Sequence, residues 1–118
     1  MRTKLSSEDL LNPLHLPAIV FFNAISNSDF VEVIEQMSAG IGTGINDVDC
    51  SFPDDIEECE EKFDGVRFSL IDEEVILNYE MFYYYLNKAC ENYLDTFPDD
   101  RSKIDLNLTS IRERYRLH

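Results

Sequence analysis

Between Ser28 and Gly40 the apolar residues Phe30, Val33, Ile34 and Met37 fall at i, i+3, i+4 and i+7, which lines one face of a helix. Ser28 is placed to cap its start, and Gly40 supplies the left-handed residue that stops it. A longer repeat of the same kind runs through Tyr79, Phe82, Tyr83, Leu86, Cys90, Tyr93, Leu94 and Phe97, with Asn78 as N-cap and Pro98 as the interruption. A last helix follows, with Ile104, Leu108, Ile111 and Tyr115 along one side. The period changes after Gly65. Val66, Phe68 and Leu70 alternate with Arg67 and Ser69, as in a strand with one face buried. Ile71 and Asp72 lie at a tight reversal, and Val75 and Ile76 begin the returning strand. One more strand is expected around Ile45 to Phe52, after the glycine-rich turn Gly40 to Gly44. Residues 53 to 63 form a polar excursion, with a helical turn that Pro53 opens.

The start of the chain has less periodicity. Ser6 and Asp9 are spaced as a capping box for a short helical turn, which Pro13 ends. Pro17 suits the first position of a helix over AIVFFNAI. Ile19 to Phe22 has the composition of a strand as well, and helix is the favoured reading. The order of helices, a small antiparallel sheet and two further helices predicts a single α+β domain over residues 1–118, with about three strands packed against the N-terminal and C-terminal helices.

Charge adds an asymmetry that the hydrophobic pattern does not show. Residues 46–74 hold 12 acidic residues against Lys62 and Arg67, so −10 of the net −14 lies in that stretch. The acids are Asp47, Asp49, Asp54, Asp55, Glu57, Glu58, Glu60, Glu61, Asp64, Asp72, Glu73 and Glu74. A field of one sign repels nucleic acid and anionic lipid and attracts cationic partners. The chain is nevertheless 44% hydrophobic and rich in Phe and Tyr, so its acidity does not signal disorder. Cys50, Cys59 and Cys90 are odd in number and lack CxxC spacing, which fits a reducing compartment better than a disulfide framework. The opening MRTKLSSEDLL meets acidic residues before any long apolar run, unlike a secretory signal. The longest apolar stretch, Ala18 to Phe22, is far short of a membrane span. A cytoplasmic protein is expected.

Catalytic and metal chemistry find little in the sequence. DVDCSFPDD lacks the order of oxygen ligands around a turn glycine that a calcium loop requires. His15 stands among Leu14, Leu16 and Pro17 and reads as structural, and His118 is terminal. GIGTG follows a helix instead of joining strand to helix, so the dinucleotide context is missing. Cys59 lies among acids that blunt a thiolate. The expectation is no enzyme, no metal and no cofactor. The run FYYYL (Phe82 to Leu86) admits two readings: Tyr84 and Tyr85 form an exposed amphipathic patch with Met81, or the helix is buried on two sides. The cations Arg101, Lys103, Arg112, Arg114 and Arg116 serve solubility and the helix dipole, since the total charge argues against nucleic-acid binding.

The segments CSFPDDIEECEEKFDGVRFSL (Cys50 to Leu70), DEEVIL and FYYYLNKACENYL (Phe82 to Leu94) resemble the ribonuclease-toxin immunity proteins of contact-dependent growth inhibition (CDI) systems, the CdiI family. The likeness extends upstream through FFNAISNSDFVEVIEQMSAGIGTG and downstream to IRERY. It implies a non-catalytic cytoplasmic protein that binds the basic nuclease toxin domain of a cognate effector, as a 1:1 heterodimer, and blocks its active site. No interface residue carries over from the family, so the candidates come from the chain itself. They are the acids Asp47, Asp49, Asp54, Asp55, Glu57, Glu58, Glu60, Glu61, Asp72, Glu73 and Glu74, acting as a stand-in for substrate phosphate, with Phe52, Phe63, Tyr84 and Tyr85 as apolar anchors. Anchors are needed because nanomolar affinity is about −12 kcal/mol, whereas surface ion pairs contribute about 0–1 kcal/mol each. The alternatives are a calcium-responsive or general acidic adaptor and, less favoured, a small carboxylate hydrolase.

Overall fold

A computed structural model describes residues 4–53 and 65–117. Helix α1 (Leu16–Ala24) is followed by α2 (Phe30–Ser38), then strands β1 (Thr43–Ile45), β2 (Val48–Ser51), β3 (Val66–Leu70) and β4 (Glu73–Leu77), then α3 (Tyr79–Thr96) and α4 (Arg101–Arg114). Short 3-10 turns at Ser7–Asp9, Pro13–His15 and Pro98–Asp100 complete the order. The strands form one antiparallel meander in the order β1-β2-β3-β4. The architecture is α+β, as expected.

The sheet has four strands where about three were expected. The stretch read as one strand from Ile45 to Phe52 is a hairpin, with Ile45 paired to Val48 across Asn46 and Asp47. Asn46 takes a φ of 54°, a left-handed conformation that its short polar side chain tolerates. Thr43 and Gly44, assigned from sequence to a flexible turn, pair with Cys50 and Asp49 as part of β1. A second correction concerns α2: its N-cap is Asp29, not Ser28. Ser28 lies one residue too early, and its hydroxyl meets the Ser26 Oγ at 3.3 Å.

Other local signals act as expected. Asn78 caps α3, its side-chain oxygen accepting from the Met81 N–H at 2.8 Å. Gly40 has φ 74° just past α2. The Asp9 carboxylate accepts from the Ser6 N–H at 2.9 Å.

Helix α1 has no amphipathic face because it is covered on more than one side. It packs against β2, β3 and β4 and also touches α3, burying Pro17, Ala18, Ile19, Phe21 and Phe22. This explains the strand-like composition of the segment: a helix buried nearly all round carries no polar stripe to reveal its period. Phe21 and Phe22 meet Phe68 of β3 at centroid distances of 5.6 and 5.8 Å, and Phe68 meets Phe82 of α3 at 6.3 Å. A second cluster stacks Phe30 of α2 on Tyr93 of α3 at 4.4 Å. Helix α4 closes this side against α2 and α3 with Ile104, Leu108 and Ile111 buried.

Candidate partner-binding surface

The register of the meander sorts the acidic residues. Val48, Cys50, Val66, Phe68 and Leu77 face the core, so their neighbours face outward. Gly44, Asp49, Ser69 and Glu74 lie opposite one another in a single row across all four strands, and Ser51, Arg67 and Ile76 form the next row. Asp49 and Glu74 are exposed, and Arg67 reaches Glu74 at 3.9 Å. The pairs Ile45–Val48 and Leu70–Glu73 end the ladder together, so both tight turns lie at the same end of the sheet. Exposed Asp47 sits in the first turn, and exposed Asp72 and Glu73 sit in and beside the second. The fold thus gathers Asp47, Asp49, Asp72, Glu73 and Glu74 on the outer face and one end of the sheet, with Arg67 as the sheet's single cation among the described residues.

The chain leaves the sheet after Ser51 and returns at Val66, at the end opposite the two turns. The expectations for Asp54, Asp55, Glu57, Glu58, Glu60, Glu61 and Phe63 lie outside the described residues.

The aromatic candidates divide. Phe52 is 1% exposed and sits edge-on to Phe82 at 5.7 Å, so its ring is taken up by the core. Tyr85 is fully buried, which corrects the reading of an exposed patch at this position. Its hydroxyl accepts from the Leu11 N–H at 2.9 Å and lies 2.8 Å from Nδ1 of buried His15. Burial raises the Tyr85 phenol pKa and lowers that of His15, so both are neutral near pH 7 and the phenol proton is placed to bond Nδ1. Tyr84 is half-buried, and its hydroxyl donates to the Asp9 carbonyl at 3.1 Å. The N-terminal segment covers the helix face that carries these two tyrosines, and short-range periodicity cannot report such a cover.

Sequence reasoning missed most of the exposed apolar residues, three of which lie in or near the second turn and the Pro13–His15 turn. Ile71 is 79% exposed in the β3–β4 turn, Leu14 is 74% exposed and Leu16 is 41% exposed. Leu16, Leu70 and Ile71 share a shallow hollow with Asp72 and Glu73, and the Pro13–His15 turn that bears Leu14 contacts β4. For Ile71 the register of β3 and β4 supplies the signal: an isoleucine occupies a two-residue hairpin turn, where Gly, Asn or Asp is usual.

Cys50 and Cys90 are buried, and burial pushes the Cys90 thiol well above its ordinary value, away from thiolate. Among the described residues no group of three or more His, Cys, Asp or Glu side chains is arranged to hold a metal ion. Nor is any described helix long and apolar enough to cross a membrane.

No curated protein matches the chain significantly. The family model described as CDI immunity protein matches residues 8–108, a span that takes in the N-terminal turns, α1, α2, the whole meander, α3 and most of α4. With the acidic, aromatic-cored α+β architecture falling inside that match, the chain belongs to the CDI immunity protein family.

Proposed function

We propose that the chain neutralises a nuclease toxin domain, a ribonuclease, by presenting carboxylates to the basic cleft that otherwise binds substrate phosphate. The observation that carries this reading is the exposed set Asp47, Asp49, Asp72, Glu73 and Glu74, gathered by the meander and opposed in the sheet by Arg67. The acids of residues 54–61 add to the same net charge, and with Phe63 and Tyr84 they belong to the proposed interface. The protein acts in the cytoplasm as a 1:1 partner, without catalysis and without a cofactor. The carboxylates steer the encounter and select a basic surface, while desolvated apolar contacts set the lifetime of the complex.

The test is the association rate with a catalytically inactivated toxin domain, followed across a salt series. Wild type is expected to associate faster at low salt and to slow as salt screens the field. Joint reversal of Asp49, Asp72 and Glu74 to Lys is expected to slow association at least tenfold at low salt. An unchanged rate in that variant overturns phosphate mimicry by this face.

A further inference from the structure

The most exposed large apolar side chain of the described residues stands in a strained turn beside the carboxylates. Ile71 has φ 48°, in the left-handed region where a side chain's Cβ presses on the following carbonyl oxygen, and branching at Cβ worsens the contact. It occupies the first central position of a two-residue turn closed by the Leu70–Glu73 pair. Gly or Asn at that position satisfies the fold with less strain. The side chain is 79% exposed, so the strain is not compensated by burial within the chain. An unfavourable backbone conformation that presents a branched aliphatic group to solvent points to a use outside the fold.

We propose that Ile71 is the apolar anchor by which this chain seats on its toxin, inserting into a pocket on the toxin that is ringed by Lys or Arg side chains. The inference rests on the immunity reading above and deepens it by locating the contact. The surroundings supply the complementarity. Leu16, 41% exposed, and Leu70 share the hollow with Ile71 and widen the apolar centre. Asp72 and Glu73 rim the hollow they share with Ile71 and Leu16, and Asp47 stands in the neighbouring turn at the same end of the sheet. An apolar centre with a charged rim is the arrangement of a protein-binding hot spot. The sign of the rim selects a cationic surface and disfavours anionic lipid and nucleic acid. A second copy of the chain fits poorly, because a two-fold contact at this turn would bring two like-charged rims of a −14 protein together.

Ile71→Asn separates folding from binding, because Asn tolerates the left-handed region better than isoleucine. Its melting temperature is expected to equal or exceed that of wild type, by about 3 °C where the strain is relieved. Its affinity for the inactivated toxin domain of the cognate CDI effector is expected to fall about tenfold or more, mainly through faster dissociation. Ile71→Val keeps the branch and is expected to bind within about threefold of wild type. Wild-type binding that Ile71→Asn leaves unchanged overturns the anchor alone. Absence of any wild-type binding overturns the immunity reading, and the anchor with it. A wild-type dimer in sedimentation that Ile71→Asn dissolves assigns the surface to a second copy and overturns the toxin contact.

Discussion

Tyr85→Phe removes one oxygen atom from the core and is expected to destabilise the protein by about 2–3 kcal/mol. The hydroxyl has no exposure and two partners: it accepts from the Leu11 N–H at 2.9 Å and bonds His15 Nδ1 at 2.8 Å. These contacts tie the N-terminal turns to α3. Each lost bond costs about 1 kcal/mol, and an orphaned buried polar group adds a desolvation penalty of about 1–3 kcal/mol. The greater apolarity of Phe offsets part of this sum. For a chain of 118 residues about 4 °C of melting temperature accompanies each kcal/mol, so a drop of about 8–12 °C is expected. Urea denaturation followed by circular dichroism measures it, with an unchanged m-value showing that the unfolded state is not the cause. Tyr84→Phe is the control. That hydroxyl donates to the Asp9 carbonyl from a half-buried position where water can substitute, and its loss is expected to cost about 1 kcal/mol or less. A Tyr85→Phe variant within about 0.5 kcal/mol of wild type refutes the assignment of the hydroxyl as the tie between these segments.

Two glycines should differ in cost. A Cβ at Gly65 would stand 2.2 Å from the Leu77 carbonyl oxygen at φ 133°, so Gly65→Ala forces backbone to move and is expected to cost about 3 kcal/mol or more. At Gly40 the Cβ meets the guanidinium end of Arg114 at 2.6 Å, a group that can swing aside, and Gly40→Ala is expected to cost about 1–2 kcal/mol from its φ of 74°. Equal losses in chemical denaturation contradict this contrast. His15 has a folded-state pKa held below 6.5 by burial, so the unfolded chain binds the extra proton first. Its contribution to stability is fully present above pH 6.5 and is lost as pH falls from there toward the folded pKa. The stability difference between wild type and His15→Gln is therefore expected to shrink as pH drops below 6.5, with the carboxylates common to both cancelling, and a pH-independent difference speaks against it. Phe30→Ala removes the ring stacked on Tyr93 at 4.4 Å and is expected to cost about 3–5 kcal/mol by thermal denaturation, a smaller loss meaning that the site collapses.

Where one face of an element meets water, the sequence made that element legible. The alternation Val66, Phe68, Leu70 and the stripe from Tyr79 to Leu94 both report the side that faces the core. Helix α1 carried no such contrast because the sheet and α3 cover it together, leaving Pro17 as the main sign of a helix start. The β1–β2 hairpin was hidden by its turn chemistry. Asn46–Asp47 lacks the glycine that announces such turns, and Asn46 supplies the left-handed residue alone. At the candidate surface, the exposure of Asp49, Asp72, Glu73 and Glu74 followed from their charge. The aromatic anchors did not follow. Phe52 and Tyr85 are buried by segments distant in sequence, α3 in one case and the N-terminal turns in the other. Ile71 was assigned to a tight reversal from sequence, and its strain and exposure emerged only once the register of β3 and β4 was known.

Membership in the CDI immunity protein family makes one functional claim central: this chain silences the toxin domain of its cognate effector. The direct measurement is the activity of that purified domain, the nuclease activity proposed above, titrated with the purified chain at a fixed toxin concentration well above nanomolar. The account predicts a linear fall to zero activity, with the break at one equivalent, and a shallower curve for the variant with Asp49, Asp72 and Glu74 reversed. Nuclease activity that persists in the presence of a tenfold excess of the wild-type chain contradicts it.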